Sequence, residues 1–388
     1  MQSNYKSLGG YIKPVVGRNN LLDDLPLMGL SISKRFIPSI ANTIGTDMST
    51  YRIIEKNQFA YGPVTSRNGE RITIALFKDY EKALISQAYI PFEVKDTDKL
   101  DPEYLMMWFR RPEFDRYARF KSHGSAREIF DWEEMCNTLL PVPSIEKQRE
   151  IVKEYNIIQD RIQLNNQIIK KLEETAQAVY KRWFVEFEFP DEEGKPYKSS
   201  GGEMEWCEEL GKEIPKGWEA KQYKDIFDFK TGKLNSDAST ADGIYPFFTC
   251  SQETFKTDTF SFDCEALILA GNNASAIYPF KYYKGKFNAY QRTYIITPKN
   301  GCISIFQGYF DLKGRLEGFK GTSSGTTTKF LTMQILNPIK IIVPDKAAFK
   351  SYKNLNSPIF TRRLIAEIKT KTLLNLNELL LSKLSKVF

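Results

Sequence analysis

The chain of 388 residues contains one histidine and five cysteines, and this scarcity excludes several kinds of functional site. Because His123 is the only histidine, a metal site with two histidine ligands is impossible, and a Ser-His-Asp triad would have to use this residue. No two cysteines have the C-x-x-C spacing of a zinc finger, and their arrangement does not indicate a disulfide framework. We therefore expect no metal site and mostly reduced thiols at Cys136, Cys207, Cys250, Cys264 and Cys302.

Long hydrophobic runs are also absent. No apolar stretch approaches the ~18 residues that a membrane-spanning helix needs, and residues 1–20 lack the charged-then-apolar order of a secretory signal. These absences predict a soluble protein inside the cell.

Motifs for catalysis and cofactor binding are missing as well. The sequence has neither the Gly-rich loop and Asn/Asp-Pro-Pro-aromatic motif of a DNA methyltransferase nor a G-x-x-x-x-G-K-[ST] loop for ATP. Residues 190–195 and 344–369 partly match the Pro-Asp and Glu-x-Lys pattern of a metal-dependent nuclease, whose carboxylates must converge from a sheet. In the first match the spacing between the two parts is too short, and the second match falls on a predicted helix. We expect that the chain is not an enzyme, has no catalytic residues and binds no cofactor.

The charge balance is mildly basic, since 55 Lys and Arg stand against 48 Asp and Glu for a formal net charge of +7. Such a charge permits a polyanionic partner without requiring one. Apolar residues make up 41% of the chain, which is enough for ordinary buried cores, and the length predicts two or three domains.

The strongest pattern in the sequence is an internal repeat. In the first half, Gly124 precedes Pro143 of a Val-Pro pair by 19 positions, and in the second half Gly325 precedes Pro344 of another Val-Pro pair by the same 19 positions. The two copies are offset by 201 residues, about half the chain. A repeat of this length indicates two modules of one kind.

A long helix with a heptad seam is predicted after the first Val-Pro pair. It begins at the N-cap residue Ser144 and extends to Phe184, about 60 Å at ~1.5 Å per residue. Its apolar positions alternate steps of four and three, which is the spacing of a coiled coil. A polar seam residue, here an asparagine, fixes register and partner at a cost in stability. The predicted seam is Ile151, Tyr155, Ile158, Ile162, Asn165, Ile169, Leu172, Ala176, Val179 and Trp183.

The second copy of this helix is the expected partner. It begins at the N-cap residue Asp345 and matches the first helix at an offset of 204 residues, so three extra residues must be accommodated. We expect the helix to restart near Ser357 with Pro358 in its first turn. Because a folded module separates the two helices, they can return to each other only in antiparallel order. The alternative is that each apolar stripe packs on its own module.

These elements predict an α+β chain in which two globular modules are joined by two long antiparallel helices that form an intramolecular coiled coil with a pseudo-twofold repeat. The modules contain short alternating strands, such as residues 71–77 and 293–296, with turns and a few helices. The Gly-, Ser- and charge-rich stretch after Pro190 predicts a linker. The predicted segments are the first module at 1–143, the central spacer helix at 144–189, the linker at 190–217, the second module at 218–344 and the distal spacer helix at 345–388.

The helical regions resemble a known family. Residues 140–152 and 172–184 are similar to the start and the end of the central helical region in the specificity subunits of type I restriction–modification systems. The distal helix departs from the family at Ser382, where a proline is usual, and the first module is the loosest match. Further stretches that fit the family are 194–204, 213–218, 287–294 and 376–384.

The resemblance implies a DNA-recognition subunit of the restriction system that does no chemistry itself. Its modules would be target-recognition domains, each reading one half of a split site in double-stranded DNA, and the paired helices would be a ruler that sets the spacer. One added helical turn of about 6 Å is then expected to lengthen the spacer by about one or two base pairs. The implied partners are two modification subunits that methylate adenine with S-adenosylmethionine, and restriction subunits that use ATP and Mg. A cytoplasmic location in a bacterium or archaeon follows.

Candidate DNA contacts are polar and basic residues in glycine-containing loops, where the main chain can approach phosphate. Arginine can pair with guanine through two hydrogen bonds, and Asn or Gln can pair with adenine. Each candidate could equally be a solvated surface group, and Asn288, Tyr290 and Gln291 could form a buried hydrogen-bond network instead. The candidates are Ser66, Arg67, Asn68, Arg71, Ser125 and Arg127 in the first module, and Lys230, Lys233, Asn272, Asn273, Gln291, Arg292, Thr327 and Lys329 in the second.

Two other functions stay open at this point. The chain could be a stand-alone DNA-binding regulator with a coiled-coil scaffold, which would not co-purify with a methyltransferase. It could also be an enzyme with an unrecognised site, such as a nuclease, which would cleave DNA alone with Mg²⁺. The sequence does not predict the two half-sites, the spacer length or the oligomeric state.

Overall fold

The fold is described from a computed structural model, which covers residues 5–41, 44–66, 69, 71–124, 127–299, 301–322 and 329–384. The chain divides into two compact units. Unit 1 contains Met1–Asn166 and Ile368–Phe388, and unit 2 contains Gln167–Glu367. Each unit holds one module and one part of each long helix. Because this division cuts across the long helices, the predicted boundaries between module, helix and linker stay predictions.

The module of unit 1 is built from short strands. They are β1 (Tyr5–Ser7), β2 (Ile12–Pro14), β3 (Leu27–Leu30), β4 (Phe36–Pro38), β5 (Arg52–Glu55), β6 (Phe59–Tyr61), β7 (Ile74–Leu76), β8 (Lys82–Ile85), β9 (Ile90–Val94) and β10 (Leu139–Pro141). One antiparallel sheet has the order β2-β9-β6-β7. A second sheet, β4-β3-β8-β5, is mixed because β3 and β8 are parallel.

In the described part of this module, the α-helices before the long helix are α1 (Pro102–Phe109), α2 (Pro112–Phe120) and α3 (Trp132–Asn137). The first begins at Asp101, whose carboxylate accepts two first-turn amides, and its proline occupies a position where no amide is needed. Phe109 at its end packs edge-on against Phe59 and Phe92, which stack with ring centres 4.9 Å apart. These aromatic contacts join the helix to the antiparallel sheet in one core.

The helix α4 (Ile145–Phe184) follows the first module and passes from unit 1 into unit 2. Ser144 Oγ accepts the amide of Lys147, so the predicted N-cap is confirmed. Gln148, fully buried, donates to the carbonyls of Lys99 and Pro143 at 2.9 Å each and accepts the amide of Asp101. These bonds attach the first turn of the helix to the module of unit 1.

The module of unit 2 has longer strands. They are β11 (Met204–Cys207), β12 (Lys212–Pro215), β13 (Glu219–Gln222), β14 (Phe227–Thr231), β15 (Tyr245–Phe248), β16 (Thr254–Thr257), β17 (Phe262–Ala270), β18 (Asn272–Asn273), β19 (Phe280–Ala289), β20 (Thr293–Pro298), β21 (Lys329–Phe330) and β22 (Lys340–Val343). The main sheet has the order β14-β20-β17-β19-β15-β16. The β11–β12 hairpin lies within the stretch 190–217 that was predicted as a linker.

Short helices complete unit 2: α5 (Tyr223–Ile226), α6 (Ile305–Arg315), α7 (Phe319–Thr322) and α8 (Met333–Leu336). The two modules share one local plan. In each, an early strand pairs antiparallel with the strand directly before the long helix, β1 with β10 in unit 1 and β13 with β22 in unit 2. The predicted duplication is therefore visible in the strand pairing.

The second long helix, α9 (Lys346–Lys383), is continuous. Asp345 accepts the amides of Ala347 and Ala348 at 2.7 and 2.9 Å, which confirms the predicted N-cap. The predicted restart at Pro358 is wrong, because the helix runs through this residue. Burial of Tyr352 and Phe360 on either side outweighs the ~3 kcal/mol that a proline costs inside a helix.

The two long helices pair in antiparallel order. In unit 1, Ile151 and Tyr155 of α4 share a core with Leu381 of α9 and with Leu384, which directly follows α9. Further along α4, Gln159 Nε2 donates to Asn377 Oδ1 at 2.8 Å. Higher numbers on α4 thus meet lower numbers on α9.

The same order holds in unit 2. Glu173 of α4 forms an ion pair with Arg363 of α9, and later on α4 Phe184 packs edge-on against Tyr352 with ring centres 4.8 Å apart. The predicted intramolecular coiled coil, with a globular module in each unit, is confirmed.

The ten predicted seam residues of α4 are all buried or half-buried. Asn165, the polar member, is 4% exposed, and its amide nitrogen has no hydrogen-bond partner among the described residues. Within the described part of the chain, no helix is both long enough and apolar enough to span a membrane.

Candidate nucleic-acid interface

Four loops of the second module converge at one end of its main sheet. The amide of Gln291 donates to the carbonyl of Leu234, and the amide of Gly271 donates to the carbonyl of Arg292 at 2.8 Å. The short ladder of β18 with β21 then places Asn272 opposite Phe330. Segments at 232–235, 271–273, 290–292 and 329–331, which are far apart in sequence, thereby form one surface, here called the loop surface.

Two glycines permit this close approach. A Cβ atom on Gly232 would lie 1.9 Å from the carbonyl oxygen of Ala289, and one on Gly271 would lie 2.5 Å from that of Arg292. Both distances are far below van der Waals contact, so a side chain at either position would push the loops apart. The sequence argument for glycine-containing loops therefore has a physical basis here.

Six of the predicted DNA contacts of the second module lie on the loop surface. Arg292 is exposed and lies over the ring of Phe330 with its guanidinium carbon 5.3 Å from the ring centre. Asn272 is half-buried, and its side-chain oxygen has no hydrogen-bond partner among the described residues. The structure thus gathers Lys233, Asn272, Asn273, Gln291, Arg292 and Lys329 in one place.

These residues differ in whether their side chains already form hydrogen bonds within the protein and in how exposed they are. Asn273 accepts the amides of Ser275 and Ile277, so its side chain holds the turn that follows β18. Gln291 is exposed, whereas Asn288 is 1% exposed and donates to Thr259 at 3.1 Å. Asn288 is therefore an interior residue with a hydrogen bond, as the buried-network alternative requires. Gln291 is at the surface and does not fit that alternative.

Lys230 lies on β14 rather than in the loops, and its side chain is exposed. Burial raises the pKa of the Cys264 thiol, and the nearby positive charge of Lys230 opposes this effect. Lys230 is opposite Ile295 of β20, which lies between β14 and β17 in the main sheet. Thr327, the remaining candidate in this module, is outside the described residues.

In the first module, two loops meet in a similar way. The amide of Thr65 donates to the carbonyl of Glu128 at 3.0 Å, and Val64 bridges to Ile129. These bonds bring Ser66 and Arg127, both exposed, onto neighbouring segments. Arg67, Asn68 and Ser125 are outside the described residues.

Gly124 closes the second of these loops. Its φ of +130° is unfavourable for other residues, and a Cβ atom there would lie 2.2 Å from the carbonyl oxygen of Arg127. Arg71 lies elsewhere, next to Ile72, whose amide donates to Asp115 of α2. The predicted contacts of the first module therefore belong to two places.

Phe330 is the residue of the loop surface that sequence reasoning missed. Its role as a support for Arg292 depends on a contact across 38 positions of sequence, and no local spacing signals it. An aromatic ring beneath an arginine limits the conformations of the guanidinium and keeps it available for a base edge or a phosphate.

We expect the variant Gly232→Ala to lose stability by about 2 kcal/mol, because its methyl group would force the strand ends apart. Thermal unfolding of the purified chain measures this loss. The matched control is Gly314→Ala in α6, where the added carbon meets no described atom within 4 Å apart from its chain neighbours and the backbone of its own helix. Alanine also favours the helix. Equal unfolding temperatures for the two variants would contradict the packing argument.

Comparison with known proteins identifies the class of this fold. The sequence matches the family described as "Type I restriction modification DNA specificity domain" twice, over residues 11–174 and 215–370. The two matches cover most of the chain and repeat the internal duplication. The chain belongs to the family of type I restriction modification DNA specificity domains.

Particular relatives are similar over part of their length. The specificity subunit of the type I restriction enzyme EcoDI from Escherichia coli is 34% identical over 131 residues, which cover 34% of this chain and 28% of the relative. The specificity subunit of the type I restriction enzyme MjaIX from Methanocaldococcus jannaschii is 31% identical over 135 residues, which cover 35% and 29%. The aligned regions thus span less than a third of these curated relatives.

A solved structure supports the fold over the whole chain. The S subunit of the type I restriction–modification system from M. genitalium superposes with a TM-score of 0.62, covering 98% of this chain and 95% of that protein at 13% identity. At this identity the likeness concerns the fold alone.

Proposed function

We propose that the chain is the DNA-recognition subunit of a type I restriction–modification complex and that each module reads one half of a bipartite site. The observation that carries this proposal is the repeated plan, a specificity-domain module in each unit whose core includes parts of both long helices. On the second module, the loop surface offers Arg292, Asn272 and Gln291 as groups able to hydrogen-bond base edges.

The long helices act in this proposal as the ruler between the half-sites. Support comes from their attachment, since Gln148 ties α4 to the first module and Trp218 donates to Asp345 at the start of α9. Helix ends that are buried in module cores transmit the length and the twist of a coil. A spacer of constant length follows from a coil of constant length.

The outward faces of the helices are the proposed docking surfaces for two modification subunits. On α4, Ile157, Leu164 and Ile168 recur at spacings of seven and four and are 41–60% exposed. On α9, Ile365, Ile368, Leu376 and Leu379 are 46–59% exposed. Apolar stripes of this kind fit helices of a partner.

The chemistry is assigned to the partners in this proposal. The modification subunits would methylate adenine with S-adenosylmethionine, and the restriction subunits would use ATP and Mg to translocate and cleave DNA in the cytoplasm. The chain itself would bind no cofactor and would not be a catalyst.

Methylome sequencing of cells with and without this chain tests the proposal. We expect one split motif to lose its adenine methylation when the chain is deleted, and to regain it on complementation. Unchanged methylation, with no methyltransferase in a purification of the tagged chain, would favour a stand-alone regulator.

A further inference from the structure

A polar cleft of about 810 Å³ lies in unit 1, and Arg71 is the predicted DNA contact that lines it in the described part of the chain. Its walls are the turn between β3 and β4, the junction of α1 with α2, and the facing parts of α4 and α9. Of the 17 described residues that line it, eight are charged, and five of these are basic: Lys34, Arg35, Arg71, Arg110 and Arg116.

The turn between β3 and β4 is held in place by Lys34. This residue is 6% exposed and has a φ of +58°, and its ammonium lies 2.8 Å from a carboxylate oxygen of Asp115. It also donates to the carbonyl of Phe109 at the end of α1, where the helix dipole favours a cation. Arg35, the next residue, is exposed and is thereby held at the rim of the cleft.

Positive charge is already crowded in this cleft. Burial lowers the pKa of Lys34, and although Asp115 opposes this effect, the charges of Arg71 and Arg110 lower the pKa further. Arg110 is partly engaged, because it donates to the hydroxyl of Tyr155 at 3.0 Å. A bound anion would relieve the repulsion among these cations.

The acidic residues of the cleft do not form ion pairs with two of its arginines in the described part of the chain. Asp115 is used by Lys34 and by the amide of Ile72, and Glu113 lies 3.6 Å from Arg116. Glu378 is exposed on α9. Among the described residues, neither Arg35 nor Arg71 forms an ion pair, and both are exposed.

We propose that this cleft binds the DNA backbone and that Arg35 and Arg71 contact its phosphates. The inference rests on the proposed function and adds a sequence-independent anchor to it. Guanidinium groups match the oxygens of a phosphodiester, and phosphate contacts set the position of a protein on a duplex without reading bases. A protein partner fits less well, because the cores of protein interfaces are depleted of charged residues.

The test uses the full chain in complex with its modification subunits and two duplexes, one with the methylated motif and one without it. We expect the double variant Arg35→Gln, Arg71→Gln to bind both duplexes roughly tenfold more weakly, with the slope of log K against log salt reduced by about two. The methylated motif should stay the same. The charge-matched control is Lys6→Gln, Lys153→Gln, two exposed residues outside the cleft.

Three results would overturn the inference. Unchanged affinity and salt slope would show that no phosphate is bound there, and an altered motif would show base reading instead. Unchanged DNA affinity with reduced co-purification of a partner subunit would assign the cleft to an acidic protein segment. If the unaltered complex bound neither duplex, the proposed function itself would fail, so the two failures are distinguishable.

Discussion

Adding seven residues to each long helix is expected to lengthen the unread spacer of the target site by about three base pairs. Seven helical residues add about 10 Å, and one base-pair step is about 3.4 Å. A heptad keeps the phase of the seam, because the seam repeats every seven residues.

The contacts between the helices show where the heptads belong. The pairs Gln159–Asn377 and Glu173–Arg363 are 14 residues apart on both helices, so the midpoints are Asn166 on α4 and Thr370 on α9. The insertion points are directly after Asn166 and directly before Thr370. Duplicating 160–166 after the first point and 370–376 before Thr370 copies residues that already face each other. Both polar pairs are then retained.

Single-helix insertions are the controls for this experiment. Four residues added after Ile158 of α4 alone would move Gln159 away from Asn377, so we expect lower stability instead of a longer spacer. Methylome sequencing measures the spacer length of the methylated motif, and thermal unfolding measures the stability of each variant. A stable double-heptad variant that methylates the original motif would refute the ruler.

The variant Glu173→Gln is expected to destabilise the chain by about 3 kcal/mol, because it removes the carboxylate that pairs with both Arg363 and Lys313. Glu173 is 20% exposed and forms an ion pair with Arg363, and it accepts hydrogen bonds from Tyr309 at 3.0 Å and Lys313 at 2.6 Å. Without its charge, Lys313 would lose its partner, and Arg363, which is 11% exposed, would keep Glu367 at 3.0 Å but lose its second carboxylate. Chemical denaturation measures the free energy of unfolding.

The adjacent residue offers a matched control. Glu174 is 47% exposed, and among the described residues its ion pairs are with lysines of the same helix, Lys171 at 2.8 Å and Lys170 at 3.9 Å. We expect Glu174→Gln to cost less than about 0.5 kcal/mol, as is usual for exposed pairs. If the two variants lost equal free energy of unfolding, the contacts of Glu173 with Arg363, Tyr309 and Lys313 would add nothing to the effect of removing one negative charge from α4.

The same cluster predicts a dependence on pH. Burial by itself raises the pKa of Glu173, but the hydrogen bond from Lys313 and the charge of Arg363 outweigh it and hold the pKa below its usual range. A carboxylate with a depressed pKa stabilises the folded state above its unfolded pKa of about 4.3, and this stabilisation disappears as the pH falls through the folded pKa. The acid sensitivity of unfolding should therefore be smaller in Glu173→Gln than in the original chain.

Much of the architecture was predictable because its signals are local. The heptad spacing of α4, the N-caps Ser144 and Asp345 and the repeated Val-Pro pairs depend on neighbours within a few residues, and each is a property of the chain before it folds. The antiparallel order of the helices follows from connectivity. The loop surface was predictable only as a set of glycine-containing loops, from which six candidates came together.

Tertiary contacts decided the rest. Phe330 supports Arg292, Lys34 fixes the turn beside Arg35, and α9 passes through Pro358, although no spacing in the sequence predicts these outcomes. Each depends on residues that are distant along the chain and meet only when strands and helices have paired in one register. Local patterns therefore determined the repeat, the helix starts and the seam, whereas long-range packing determined which polar and basic groups share a surface, because burial and charge pairing arise only between elements that already touch.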